Sequence, residues 1–435
     1  MQNFQTIPGY KRYLQDANKL LINTLSDFFS AKIRLQFRPF EELLYYGIDI
    51  AKNPKRDVYV LGDNSILIVC HVYFKEEVYF LGIVISANRI SGLERIFQAT
   101  GNAVSITLKQ CAENGFRDSL AYVGDRLIVR LIARYLESRR YDWTKLTHLV
   151  DKFLSLRSTT FEGKHFSTGI IVTHSLYAYQ RGGEEGRDGI VIHLNQKKDF
   201  FSSIDNRYWY MADGIRTYYI TDLKSKIENM FIYSNTGSDH VKKMILFNTL
   251  KGDDCLFRTE AGREVSVITA DGVEFINQEN IWRFRDYNLL KQRIKQEVNL
   301  NENVYNSLIY FVLYCSKNDI SSLIWVPNDL SHFADLLKPN TINVLTDASL
   351  NVTNQINSPL ILRMLSSDGA TVISPTGKIK AYGCIVDTTN AKPKGVKGTG
   401  ETAAGLLAEN GVAIKISQDG TIKVYLDNSQ PPIKF

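Results

Sequence analysis

The chain has 435 residues, of which 44% are hydrophobic and 23% are charged, and its formal net charge is +6. This length predicts roughly two to four domains, and the composition is that of a globular protein with ample core-forming residues. The small positive charge is compatible with anionic ligands, but over this length it does not indicate a nucleic-acid-binding protein.

The cysteines indicate neither a zinc site nor a disulfide framework, because they are scattered and form no Cys-x-x-Cys pair. They are Cys70, Cys111, Cys255, Cys315 and Cys384. The first residues lack the basic-then-apolar pattern of a signal peptide, and no apolar run reaches the length of a membrane span. We therefore expect a cytoplasmic protein without a membrane segment.

Residues 1–140 have the pattern of an α+β module. Apolar residues at helical spacing predict a helix over 8–30, and β-rich runs follow it. The predicted strands are 33–37, 57–61, 66–74 and 78–86, and the later predicted helices are 90–113 and 127–139. The last three strands are joined by short polar turns, which predicts an antiparallel meander.

Residues 141–287 predict a second α+β module. It combines a helix within 141–160, strands at 169–174 and 189–194, a helix at 240–250 and a hairpin of 265–269 with 273–276. Basic and aromatic residues mix between Arg207 and Tyr219, which suits stacking on a nucleotide base. The plainer interpretation is that these aromatics are core residues of a strand. His174 and His193 lie in apolar strands, and we expect neither to bind metal.

Residues 288–428 predict a third, α/β domain, because helices and strands alternate along it. The predicted elements are a buried helix through 304–313, a buried strand at 323–326, strands at 371–374, 378–386 and 414–416, and a short helix at 403–408.

Two loops of this last domain carry chemistry. Asp368, Gly369 and Ala370 stand where a loop enters a strand, so small residues allow a ligand close approach and the carboxylate suits a hard cation. The loop from Thr399 to Thr402 opens a helix, and free N–H groups at such a position suit phosphate. Upstream lysines add positive charge, at Lys392, Lys394 and Lys397. The plainer interpretation is an ordinary turn followed by an ordinary helix start.

The order and spacing of these loops resemble the diadenylate cyclase (DAC) domain, over roughly the last quarter of the chain. That family has an Asp-Gly-Ala motif, a strand pair, a Gly-Thr-Arg-His-Arg-Ala-Ala motif that opens a helix, and a strand that ends in Ser-Glu-Glu. Here the family's Arg-His-Arg is replaced by Gly400, Glu401 and Thr402. Its Ser-Glu-Glu is replaced by Ser417, Gln418 and Asp419.

The resemblance implies an α/β fold with a mixed sheet and flanking helices, behind two sensor-like modules. It implies that a face-to-face homo-oligomer joins two ATP molecules into a cyclic dinucleotide, with c-di-AMP the expected product. Asp368 and Glu401 would hold Mg²⁺ or Mn²⁺ and serve catalysis. The nucleotide would be bound by Gly369, Ala370, Thr399, Gly400, Thr402, Ser417 and Gln418.

Two other functions stay open at this point. The domain could bind a nucleotide without converting it, because the two arginine forks of the family motif are gone. It could also be a scaffold whose dimerisation alone matters. Three features favour a nucleotide site over a motif that has lost its function. They are the retained Asp368, the Gly/Thr loop and the carboxylate of Glu401.

Overall fold

The computed structural model describes all residues except 1, 7–9, 49–56, 62–64, 87–92, 115–121, 138–140, 181–188, 199–205, 225, 234–249, 332, 346–349, 390–397 and 427–431. The described part is 40% helix and 34% strand, with four sheets that include mixed ones. The predicted mixed α/β character is therefore confirmed. None of the helices in this part is long and apolar enough to cross a membrane.

The described helices are numbered in chain order. They are α1 (Tyr10–Phe29), α2 (Pro39–Tyr45), α3 (Glu94–Glu113), α4 (Leu127–Glu137), α5 (Trp143–Arg157), α6 (Leu176–Gln180), α7 (Asn206–Tyr210), α8 (Tyr287–Glu297), α9 (Glu302–Lys317), α10 (Ser358–Leu365) and α11 (Thr399–Leu407). A π-helical turn (Tyr122–Arg126) precedes α4. Short 3-10 turns occur at Phe4–Thr6, Phe333–Leu336, Pro339–Thr341, Gln355–Asn357 and Ala408–Asn410.

The described strands are numbered in the same way. Those before residue 240 are β1 (Gln2–Asn3), β2 (Lys32–Gln36), β3 (Val58–Val60), β4 (Ser65–Phe74), β5 (Glu77–Ser86), β6 (Thr160–Phe161), β7 (Lys164–His165), β8 (Thr168–Val172), β9 (Gly189–Lys198), β10 (Thr217–Thr221) and β11 (Ile227–Tyr233). The later ones are β12 (Cys255–Glu260), β13 (Glu264–Thr269), β14 (Val273–Gln278), β15 (Ile281–Asp286), β16 (Ser322–Pro327), β17 (Asn343–Val344), β18 (Ala370–Ile373), β19 (Ile379–Cys384), β20 (Gly411–Ile416), β21 (Ile422–Tyr425) and β22 (Ile433–Lys434).

The chain divides into two compact units, the first ending at Arg285 and the second beginning its main part at Asp286. The first unit holds a five-stranded sheet containing β1 to β5 and an eight-stranded sheet in the order β15-β14-β13-β12-β8-β10-β11-β9. One hydrophobic core runs through this unit from Leu21 to Trp282, and Phe28 stacks on Phe275 within it. The predicted domain boundaries near residues 140 and 287 stay predictions.

The second unit is built on a seven-stranded mixed sheet in the order β17-β19-β18-β16-β20-β21-β22. Its centre is β16, which pairs parallel to β18 and antiparallel to β20. α11 packs on β20 and β16, and its Ala403, Ala404 and Leu407 share a hydrophobic cluster with Trp325 and Ala413. α8, α9 and α10 also pack on this sheet.

Most elements predicted from apolar periodicity are present. β3, β4 and β5 form the predicted antiparallel meander, and β13 pairs with β14 as the predicted hairpin. One expectation is wrong, because Asn206–Tyr210 forms a helix where a strand was favoured. Trp209 is nonetheless fully buried, as the core interpretation predicted. The predicted helix at 240–250 lies almost wholly outside the described residues.

Candidate functional site

A row of three lysines crosses one face of the seven-stranded sheet. Lys415 on β20 pairs with Leu323 on one side and with Lys423 on the other, and Lys423 pairs with Lys434. Directly paired residues of neighbouring strands project from the same face of a sheet. Leu323 belongs to the hydrophobic cluster that α11 covers, so the lysines lie on the α11 side, at the edge of that cluster.

The start of α11 lies above this row. Gly398 precedes the helix and supplies no side-chain cap, while its carbonyl accepts hydrogen bonds from the N–H groups of Glu401 at 3.0 Å and Thr402 at 3.1 Å. The Thr402 hydroxyl donates to the same carbonyl at 3.3 Å, and Thr399 is exposed. Since the N–H groups of Glu401 and Thr402 already donate to Gly398, the donors that this turn can offer to an anion are those of Thr399 and Gly400.

The backbone of the Asp-Gly-Ala loop requires a glycine at position 369. Its φ is +95°, and a Cβ there would come within 2.7 Å of the Cys384 carbonyl oxygen. Only glycine tolerates both the left-handed backbone and this approach to β19. Ala370 is completely buried in the cluster beneath α11, so of the three predicted residues only Asp368 is exposed.

Lys415 connects the two loops. A Cβ at Gly400 would lie 3.1 Å from Cε and 3.6 Å from Nζ of Lys415, so the ammonium group lies beneath the first turn of α11. Nζ donates to the Ser321 hydroxyl at 2.9 Å. Burial lowers the pKa of Lys415, and the negative charge of Asp368 partly opposes that change. Asp368 and the α11 loop are therefore both neighbours of one half-buried lysine.

Glu401 has a different neighbour. It forms an ion pair with Lys423 in which the lysine donates to the carboxylate, and both side chains are partly exposed. The buried Tyr425 lies close by. Burial raises the pKa of Tyr425 to about 12, with a further contribution from the charge of Glu401. The Tyr425 hydroxyl has no hydrogen-bond partner in the described part of the chain.

Ser417 and Gln418 follow Lys415 in the turn between β20 and β21. The Ser417 N–H donates to the Thr421 carbonyl at 2.9 Å and its carbonyl accepts from Gly420 at 3.0 Å, so backbone bonds hold the turn. The Ser417 side chain is half-buried and Gln418 is exposed. Both residues thus lie at the strand end that carries Lys415, as the sequence predicted from their order.

The two predicted metal ligands differ in their readiness to bind a cation. The exposed Asp368 carboxylate makes no hydrogen bond or ion pair with any described residue, so its oxygens are available to a hard cation. Glu401 would first have to leave Lys423. No group of three or more His, Cys, Asp or Glu side chains in the described residues could hold a metal ion. Asp368 and Glu401 would therefore hold Mg²⁺ or Mn²⁺ only together with phosphate oxygens and water, a common arrangement for Mg²⁺.

The sequence analysis did not identify Lys415 and Lys423 as residues of the site. It assigned the positive charge to Lys392, Lys394 and Lys397, which lie outside the described residues. A signal for Lys415 was present, because a charged residue between Ile414 and Ile416 points to the face opposite theirs. What could not be inferred from the sequence is that this face meets the start of α11.

The histidines predicted not to bind metal have other neighbours. A ring nitrogen of His193 is hydrogen-bonded to the Asn229 side chain at 2.7 Å, and the His174 ring stacks on Tyr141. The absence of a metal site at either residue stays a prediction.

Comparison with known proteins adds no identification. The chain matches no protein-family model, and none of the curated proteins is significantly similar to it.

Proposed function

We propose that residues 288–428 form a DAC-like nucleotide-binding domain that converts two ATP molecules into a cyclic dinucleotide, with c-di-AMP as the expected product. The front modules would act as sensors that control it. The observation that carries this proposal is the position of Lys415. It lies beneath Gly400, and Leu323 pairs with Lys415 on one side and with Ala370 of the Asp-Gly-Ala loop on the other, so both loops lie near one lysine.

Phosphate binding is the first step that these residues support. Lys415 and the first N–H groups of α11 offer positive charge and donors to the phosphates, and cationic groups suit phosphoryl transfer because the charge lies on phosphate oxygens. Asp368, and Glu401 once released from Lys423, would hold Mg²⁺ or Mn²⁺, which neutralises phosphate charge when bound.

The proposed reaction needs two copies of the chain. The 3′-oxygen of each ATP forms a bond to the α-phosphorus of the other, and the bond from that phosphorus to the bridging oxygen breaks. Pyrophosphate leaves with the electron pair, and each hydroxyl proton passes to solvent. Holding both nucleotides in line is the main contribution expected of the protein. The active form is therefore proposed to be a homo-oligomer joined through this domain.

A second candidate is a domain that binds the nucleotide without converting it. The observation that favours it is the ion pair of Glu401 with Lys423, which occupies the carboxylate. The positions of the two family arginines are held by Gly400 and Thr402, and neither can form a bidentate contact with phosphate.

The test is incubation of the full-length protein with ATP and Mn²⁺, followed by separation of the products by mass. The proposal expects a cyclic dinucleotide and two pyrophosphates for every two ATP consumed. Turnover per subunit should fall as the protein is diluted below its dimerisation range. ATP binding without pyrophosphate release would favour the second candidate, and absence of ATP binding would contradict both.

A further inference from the structure

The ammonium group of Lys415 has N–H donors that make no hydrogen bond with the described residues. An ammonium carries three N–H donors, and one of them goes to the neutral hydroxyl of Ser321. Within the described residues no carboxylate comes within ion-pair distance of Lys415, although the charge of Asp368 acts on it. A half-buried cation with only one neutral partner is an incomplete arrangement, because buried charges in proteins are normally paired.

The position of the Lys415 ammonium group, next to the start of a helix, is also unfavourable for a positive charge. Lys415 lies under the first turn of α11, where the helix dipole is positive, and a cation at that end is destabilising without an anion. Asp368 supplies part of the missing charge from a distance. An anion between the lysine and the helix start would be stabilised by both positive charges.

Gly400 is the residue that admits Lys415. Any side chain at position 400 would begin 3.1 Å from Cε of the lysine, which is closer than about nine in ten real Cβ contacts, so the lysine would have to shift. The strand residue therefore fills space that a larger helix residue would occupy. In the DAC motif, the residue that corresponds to Gly400 is an arginine at the start of the helix. In this chain the positive charge at this place is carried by Lys415, on the strand beneath the helix.

A second, independent observation points to the same side of the sheet. Tyr425 is only 2% exposed, and its hydroxyl has no hydrogen-bond partner among the described residues. It lies close enough to Glu401 for that charge to affect its pKa. A buried hydroxyl without a partner costs free energy, so a water or a ligand atom that hydrogen-bonds to it would be favourable.

We propose that Lys415 binds the phosphate chain of the nucleotide directly, and that the absence of a side chain at Gly400 leaves room for its ammonium group to do so. The inference rests on the proposed nucleotide site but not on turnover. It assigns to Lys415 the contact that the replaced motif residues can no longer make.

The test is equilibrium binding of two probes, ATP and inorganic tripolyphosphate, to the full-length protein by calorimetry. Lys415→Met should weaken both by roughly tenfold to a hundredfold, the range expected for a lost hydrogen bond to a charged group. Lys415→Arg keeps the charge and should retain most of the affinity. Lys434→Met is the matched control, because it removes an exposed lysine from the same row and should change neither affinity.

Two further variants keep the test decisive if Lys415→Met folds poorly. Gly400→Ala leaves the lysine in the chain but displaces its ammonium, and should weaken both probes. The double variant Gly400→Arg with Lys415→Met returns the charge to the helix and should recover binding relative to Lys415→Met. Unchanged affinity in Lys415→Met and Gly400→Ala, with ATP still bound by the wild type, would overturn the inference alone. A wild-type protein that binds neither probe would overturn the proposed function as well.

Discussion

Lys415 and Gly400 are complementary: the strand residue extends into the space that the helix residue leaves, with Cε 3.1 Å from the position of a Cβ at Gly400. The two residues are 15 positions apart in sequence and meet because β20 runs beneath the start of α11. Small residues at a helix start and a charged residue in a strand are each unremarkable alone. Their contact places a cation at the proposed phosphate site of the second unit.

The first prediction separates helix stability from phosphate binding. Gly400→Ala should weaken ATP binding by several-fold, because the methyl group displaces the Lys415 side chain. Helix propensity favours alanine over glycine by up to about 1 kcal/mol, so the midpoint of unfolding should change little or rise. Gly398→Ala is the control, since a Cβ there meets nothing within 4 Å. Equal binding by both variants would contradict the expected displacement.

The second prediction concerns the two carboxylates. Glu401→Gln and Asp368→Asn should each reduce product formation on the order of a hundredfold or more, as expected when a group that stabilises charge is lost. The double variant should be little worse than either single one, because the groups act as a unit. Full activity of Glu401→Gln would mean that the metal is held elsewhere and that Glu401 only pairs with Lys423.

Lys423→Met provides the complementary change. It releases Glu401 from its ion pair, so Mn²⁺ affinity in the presence of ATP should hold or rise. The cost in stability should be roughly 1 kcal/mol or less, because both side chains are partly exposed and such pairs contribute little. A large loss of Mn²⁺ affinity in this variant would show that Lys423 supports the metal site rather than competing with it.

Gly369 carries a prediction about stability. Gly369→Ala would place a side chain in a left-handed conformation and within 2.7 Å of the Cys384 carbonyl oxygen. The conformation alone costs roughly 1–2 kcal/mol, and the collision adds to it. Gly163→Ala is the control, because its φ is +75° and its Cβ would meet nothing within 4 Å. Urea unfolding should show the larger loss at Gly369, and equal losses would contradict the close approach to β19.

The cysteine thiols should be unreactive in the folded protein. All five are free and buried. Burial raises the pKa of Cys111 to about 11 and that of Cys315 to about 12. Since the thiolate is the reactive form, none should react with Ellman's reagent near neutral pH until urea unfolds the chain. A thiol that reacts at once in the native protein would contradict this burial.

Sequence patterns predicted the helices and strands better than the tertiary contacts between them. The β13–β14 hairpin follows from two β-rich runs around an Asp-Gly turn, and α11 from its apolar stretch after a Gly/Thr loop. The helix at Asn206–Tyr210 was missed because a short aromatic run has no periodicity that separates helix from strand. Lys415 was missed because its role depends on which helix covers its strand, which is a tertiary contact.

The most direct test of the central claim is hydrogen–deuterium exchange of the full-length protein with and without a non-hydrolysable ATP analogue and Mg²⁺. A nucleotide bound between the Asp-Gly-Ala loop and the start of α11 should slow exchange in peptides that cover residues 366–371, 398–404 and 413–418, and Lys415→Met should lose that protection. Protection confined to residues 2–285, or none at saturating analogue, would contradict a nucleotide site between the Asp-Gly-Ala loop and the start of α11.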